Sequence, residues 1–157
     1  MTAPPDALAY LHRLLGFTED ADIPIALSAS VLQGWKPHAE QIARARSPAA
    51  SEIADLLVEL AERTADPASL ALACWISGNV YHNLGLMKQA HAAYQRADSL
   101  YTQLDDPLSA ARMSVGWVHV LGELGDGETA LACAQRAEAT LLACGDQTDA
   151  FRLANLS

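Results

Sequence analysis

Aromatic side chains are scarce in this chain, 6% of its 157 residues. Runs of Val, Ile, Thr and aromatics, the raw material of strands, are missing. What remains favours helices. Hydrophobic residues make up 51%, and Ala is abundant. Ala combines the best intrinsic helix propensity with a side chain small enough to let helices approach closely. The expectation is an all-α fold in one domain, long enough to bury roughly two-thirds of its unfolded surface.

Positive charge is also lacking. Ten Lys and Arg face nineteen Asp and Glu, a net charge of −9. Nucleic acid binding needs clustered bases to displace phosphate counterions, and the one local cluster, Arg44 and Arg46, is too small to form a basic groove. A negatively charged membrane surface is disfavoured for the same reason. No stretch approaches the 18 or more apolar residues of a membrane span. MTAPPDALAYLHRLLGF lacks the basic start of a secretory signal, with Asp6, His12 and Arg13 interrupting its apolar residues. Three cysteines, an odd number without zinc-site spacing, suit small buried side chains in a reduced compartment. Cys133 and Cys144, about 16 Å apart on one helix, are too distant to bridge. Cytoplasm is the expected location. There is no Gly-rich phosphate loop, nucleophile elbow or HExxH, so neither cofactor nor metal is expected.

Helix punctuation is plentiful. Asp6–Leu15 reads as a short amphipathic helix with Leu8, Leu11, Leu14 and Leu15 on one stripe and Gly16 as C-cap. Pro24 fits the first turn of a helix reaching Gln33, and Gly34-Trp35-Lys36-Pro37 reads as a break. A helix from Pro37 to Arg46 follows. Another starts at Ser47-Pro48 and runs to Thr64, burying Ile53, Leu56, Leu57 and Leu60. Its Glu52, Asp55, Glu59 and Glu62 form an acidic stripe, read as a solvated face or a contact for a basic partner.

Asp66-Pro67 and Asp106-Pro107 repeat one start signal, Asp as N-cap and Pro at the first helical position, and Asp146-Gln147 stands in the next register. The period is 40 residues. Between these junctions lie two helix pairs, 67–84 with 88–103 and 107–124 with 128–143. Leu84-Gly85 and Leu124-Gly125 end the first members, and Gln-Arg-Ala recurs at 95–97 and 135–137. Such a period signals stacked repeats.

Gly78, Tyr81, Leu84, Gly85, Ala90, Tyr94 and Ala97 follow the small, aromatic, Leu-Gly, Ala, large, Ala pattern of the tetratricopeptide repeat family. Val118, Leu121, Leu124, Gly125, Ala130, Ala134 and Ala137 follow it more loosely. The chain therefore resembles a tetratricopeptide repeat protein over a little over half its length. Its period exceeds the family's usual value of about 34 and is similar to longer units attached to bacterial regulators. The resemblance implies antiparallel helix pairs stacked as a short right-handed superhelix, an α-solenoid. Residues 1–33 would form an N-terminal helical cap and 37–64 a divergent pair. Residues 66–103 and 106–143 would be the repeats. Residues 146–157 would close the stack, with Phe151 and Leu153 docking. Ala90 and Ala97 would let paired helices close up while Tyr81 and Tyr94 fill the space between. Gly116-Trp117 suggests another close contact, with Trp117 buried.

The resemblance also implies that the first helices of the pairs line a concave face carrying Trp75, Asn79, His82 and Asn83, then Arg112, Val115, His119 and Glu123. Trp75, Asn79 and His82 share one helix face by spacing. Trp35, 40 residues before Trp75, extends the wall. Asn79 matches an Asn with which peptide-binding members hold peptide backbone or carboxylate, but Trp75 stands where those members place a Lys.

Two functions follow. The leading expectation is a non-catalytic adaptor or regulator that binds a peptide or protein segment in the groove. The alternative is a small-molecule-binding protein or cofactor-independent enzyme, with His82, His119 and Glu123 as acid–base groups. An open channel at Asn79, Asn83 and Arg112 would favour peptide. A closed pocket walled by Trp35 and Trp75 would favour a small ligand. An apolar face left at an open end of the stack would allow a homodimer.

Overall fold

One three-residue link with a left-handed middle residue, used five times, sets the architecture. In the computed structural model, which describes residues 7–18, 24 and 26–155, helices α4 (Pro67–Asn83), α5 (Met87–Gln103), α6 (Pro107–Glu123) and α7 (Gly127–Ala143) are each 17 residues long. A short α8 (Gln147–Ala154) starts in step with them. The repeating module is thus one helix plus three residues, half the period read from the Asp-Pro signals. Each of the five junctions has a left-handed residue at the same place: Ala65, Gly85, Asp105, Gly125 and Gly145. After α5, Asp106 N–H donates to Tyr101 O at 3.0 Å and Asp105 N–H to Thr102 O at 3.2 Å, the paired bonds of a Schellman ending. The next residue then caps the following helix. Asp66, Asp106, Asp126 and Asp146 accept from backbone N–H groups two or three residues on, satisfying donors a helix start leaves open.

The N-terminal part differs from the sequence-based expectation. α1 spans Ala7–Leu14, and Gly16 follows at φ 87°. The next helix does not start at Pro24 or break at Gly34–Pro37. α2 runs unbroken from Ala29 to Arg44 with Pro37 inside it, capped by Ser28 Oγ accepting from Val31 N–H. The expected boundary between a cap ending at 33 and a pair starting at 37 therefore falls within one helix. Pro37 costs one hydrogen bond, to the carbonyl of Gln33, and about 3 kcal/mol. Gln33, Gly34, Pro37 and His38 all face solvent, so water reaches that carbonyl. On the opposite face Leu32, Trp35, Ala39 and Ala43 are buried. Burial of the two larger side chains alone contributes ~1.5–3 kcal/mol each, enough to hold the helix through the proline.

α3 (Ala50–Arg63) begins two residues later than Ser47-Pro48 suggests. Ser47 Oγ accepts from Ala49 N–H in the preceding turn and does not cap the helix itself. Leu60 is half-buried where full burial was expected, whereas Ile53, Leu56 and Leu57 are in the core. The acidic stripe of α3 is not simply solvated. Tyr10 and Tyr81 donate their hydroxyls to Glu52 and Asp55, Arg63 pairs with Glu59, and Arg96 with Glu62.

Among the described residues there are eight helices and no strand. Neighbouring helices pack in succession: α4 against α5, α5 against α6, α6 against α7 and α7 against α8. α1 lies on α3, and α2 packs on α4 as well as α3. Two apolar clusters result. One joins Leu11, Leu32, Trp35, Ile53 and Leu57 to Ile76 and Val80 of α4. The other joins Ala71 and Cys74 of α4 to Tyr94, Met113, Trp117, Leu141 and Leu153. α4 feeds both clusters, which explains why its apolar residues do not fall on a single stripe. Leu153 docks as expected, but Phe151 of the same helix is 69% exposed, because nothing among the described residues covers the outer side of α8. Cys74 and Cys133 are buried and Cys144 is exposed. Burial raises the Cys74 thiol to about 11, so it stays protonated and unreactive at neutral pH.

The five turns generate a stability prediction. Ala65 holds a left-handed conformation, φ 55°, that costs an L-residue about 1–2 kcal/mol and a glycine almost nothing. Ala65→Gly is expected to raise unfolding stability by about 0.5–1 kcal/mol after the extra entropy of the unfolded chain is subtracted. Urea denaturation checks this. A loss of stability would show that the turn is not strained.

Candidate functional site

The side chain that shapes the site is a core residue. Tyr94, fully buried on α5, lies across α4 and α6 where both are glycine. A Cβ at Gly78 would come within 2.7 Å of the Tyr94 ring, and one at Gly116 within 2.5 Å of its hydroxyl. That slot lets the hydroxyl reach Asn79 Oδ1 at 2.7 Å, and Asn79 Nδ2 in turn donates to Glu40 Oε1 of α2 at 2.6 Å. Burial first, and the Glu40 carboxylate second, raise the Tyr94 hydroxyl far above its ordinary range, so it serves as a fixed donor. This chain of bonds ties α5, α4 and α2 together at the floor of an open groove.

The groove holds about 740 Å³ and runs between α2, α4, α6 and α8. It brings together most of the residues expected to line a common wall: Trp75, Asn79, His82, Asn83, Arg112, Val115 and His119. Two expectations fail. Trp35 is only 5% exposed and sits in the N-terminal cluster against His12 and Phe17; the continuous α2 turns it inward and presents Lys36, Glu40 and Arg44 to the groove. Glu123 is an exposed residue outside the groove lining, although its charge acts on His82.

Lys36 Nζ lies 4.2 Å above the Trp75 ring centroid and 3.8 Å from Glu40 Oε1. A cation–π contact of this kind is worth about 0.5–1 kcal/mol when exposed. Trp75 meets Tyr101 edge-on at 6.4 Å on its other side, so it is both a packing residue and part of the wall. Asn79 spends its amide inside the protein, and Asn83 Nδ2 donates to Asn79 O at 2.8 Å. Arg112 Nε donates to Asp146 Oδ2 at 2.9 Å, and that bond holds the Asp146 carboxyl below its usual range. The arginine thereby links α6 to the cap of α8. The His82 and His119 rings face each other with centroids 4.8 Å apart. Desolvation first, then the neighbouring His119, lower the pKa of His82, with Glu123 acting in the opposite sense.

Residues the sequence reading missed are Lys36, Glu40, Arg44, Gly116 and, from α8 and its C-cap, Asp149, Phe151, Arg152 and Asn155. Lys36, Glu40 and Arg44 are spaced i, i+4, i+8, a signal that becomes legible only when the helix passes through Pro37. Among the described residues no three His, Cys, Asp or Glu are grouped to hold a metal, and no helix is long and apolar enough to cross a membrane. No protein-family model, curated protein or solved structure matches this chain.

The Tyr94 slot is open to a double-mutant cycle. Helix propensity favours Ala over Gly by about 1 kcal/mol, yet Gly116→Ala is expected to destabilise by ~1–3 kcal/mol through overpacking. Because that clash is with the hydroxyl, Tyr94→Phe should relieve it, giving a coupling of at least ~1 kcal/mol. Gly78→Ala meets ring carbons, and the same Phe should not rescue it. Equal rescue at both glycines would refute the slot geometry.

The His82 shift gives a pH dependence. Its folded pKa lies below the ordinary 6.5, so between those values the unfolded chain binds the proton and the folded one does not. Stability is then complete above the unfolded value and declines as pH falls through it. His82→Gln should flatten this part of the stability profile measured by thermal melting. An unchanged slope would remove the proposed desolvation.

Proposed function

We propose that this chain is a non-catalytic binding module, an adaptor or regulator built as a tetratricopeptide-like right-handed stack, that holds an acidic peptide or protein segment in the groove. One observation carries the reading. Lys36, Arg44, Arg112 and Arg152, four of the ten basic residues, line this groove against two acids, Glu40 and Asp149. Asp146, which Arg112 contacts at 2.9 Å, adds a third carboxylate at the rim. The local balance is 4 − 3 = +1 in a chain of net charge −9, with Lys36 and Arg44 paired to Glu40, Arg112 to Asp146 and Arg152 to Asp149. A positive trough within a negative surface focuses field lines and raises the capture rate of an anionic segment. The trough is open along its length, which suits an extended chain. Trp75 supplies rigid apolar area beside the charges.

Trp35, required as a wall by the small-ligand alternative, lies in the core instead. The His82–His119 pair remains the place where that alternative would act, with both rings facing the same trough.

Fluorescence anisotropy with short acidic and charge-neutral peptides tests the proposal. Acidic peptides should bind, and binding should fall as salt rises. Lys36→Ala/Arg112→Ala and Trp75→Ala should each weaken it by about tenfold or more, while circular dichroism shows the helices intact. Equal capture of neutral and acidic peptides, or affinity unaltered by these substitutions, would discard the groove as the site.

A further inference from the structure

The outer face of α7 carries a second surface. α5 and α7 have the same length and start 40 residues apart, so their positions can be compared one for one. On α5, Ser99, Thr102 and Gln103 are exposed and polar; their counterparts on α7, Ala139, Leu142 and Ala143, are exposed and apolar. Leu142 is 55% exposed. Leu131, 47% exposed, stands where α5 has His91, whose Nδ1 accepts from Trp117 Nε1. The three α5 positions stay exposed although α6 follows α5. α8 follows α7 in the same register and likewise leaves Ala139, Leu142 and Ala143 exposed.

We propose that this face joins two copies of the chain, α7 against α7, antiparallel about a two-fold axis. Leu131 and Leu142 are 11 residues apart, three turns along one stripe. In an antiparallel pair, Leu131 of one copy lies over Leu142 of the other, and the two-fold makes the contact twice. Ala132 and Ala143 flank the stripe on one side, and these small residues let the helices approach. Midway along the stripe stand Gln135 and Glu138. The same pairing sets the amide of one copy opposite the carboxylate of the other, donor to acceptor. The face is thus complementary to itself, as an isologous contact requires. Phe151 and Leu142 share the shallow groove between α7 and α8, which extends the apolar patch on both sides of the axis.

Net charge opposes this association, since each copy carries −9. Salt screens that repulsion, so dimerisation should tighten as salt rises, the reverse of peptide capture in the groove. Sedimentation equilibrium of the full chain, from low to several hundred micromolar, should show a monomer–dimer equilibrium. Leu131→Asp and Leu142→Asp should each raise the dissociation constant by about tenfold or more with unchanged circular dichroism. Gln135→Glu, placing acid opposite acid, should weaken the dimer. Gln135→Lys should tighten it more than Gln103→Lys, which makes the same change in net charge on α5. A monomer at every concentration and salt level overturns the proposal. So does a dimer indifferent to Leu142→Asp, or one that responds alike to Glu and Lys at 135.

Discussion

A tyrosine seated between two glycines is the constraint on which this structure rests. Tyr94 belongs to α5, but its ring occupies space that side chains at Gly78 and Gly116 would otherwise fill. Three consecutive helices are brought to one spacing by that fit, since the interior is close-packed and none can move without opening a void or a clash. The hydroxyl carries the constraint outward. Through Asn79 it reaches Glu40, which also contacts Lys36 and Arg44. The position of α2, and with it one wall of the groove, depends on a residue buried in the helix pair beyond α4.

Charge is distributed with similar economy. The chain is acidic overall, and several carboxylates are engaged in holding the structure together. Asp66, Asp106, Asp126 and Asp146 cap helices, while the α3 stripe pairs with tyrosines and arginines. Basic side chains far apart in sequence meet at the groove, where Glu40, Asp149 and, at its rim, Asp146 accompany four cations. Asp146 shows both uses at once, accepting from Arg112 while capping α8. A chain with few positive charges thereby gathers four of them in one trough.

Much of the fold was legible because helix signals are local. An Asp before Pro, a Leu-Gly ending and a small residue at a fixed offset act within a turn or two, and they place α4, α6 and their partners to within a residue or two. The glycines at 85 and 125 mark left-handed positions openly. Ala65 and Asp105 occupy the same conformation without a telltale residue, which is why a period of 40 was visible and the underlying period of 20 was not. Local reasoning failed at Pro37. A proline normally argues for a break, but burial of Leu32, Trp35 and Ala39 on the opposite face outweighed it. A break at Pro37 would point Trp35 toward the groove; the continuous helix instead presents Lys36, Glu40 and Arg44 there.

The residues by themselves determined the helical class, the junctions at 66, 106 and 146 and most of the wall contributed by α4 and α6, because capping and periodicity act over a few neighbouring positions. Only the tertiary structure decided that α2 is continuous, that α8 supplies Arg152 and that four scattered cations share one trough. Those outcomes depend on packing between helices tens of residues apart, and long-range burial is a sum that no local motif records.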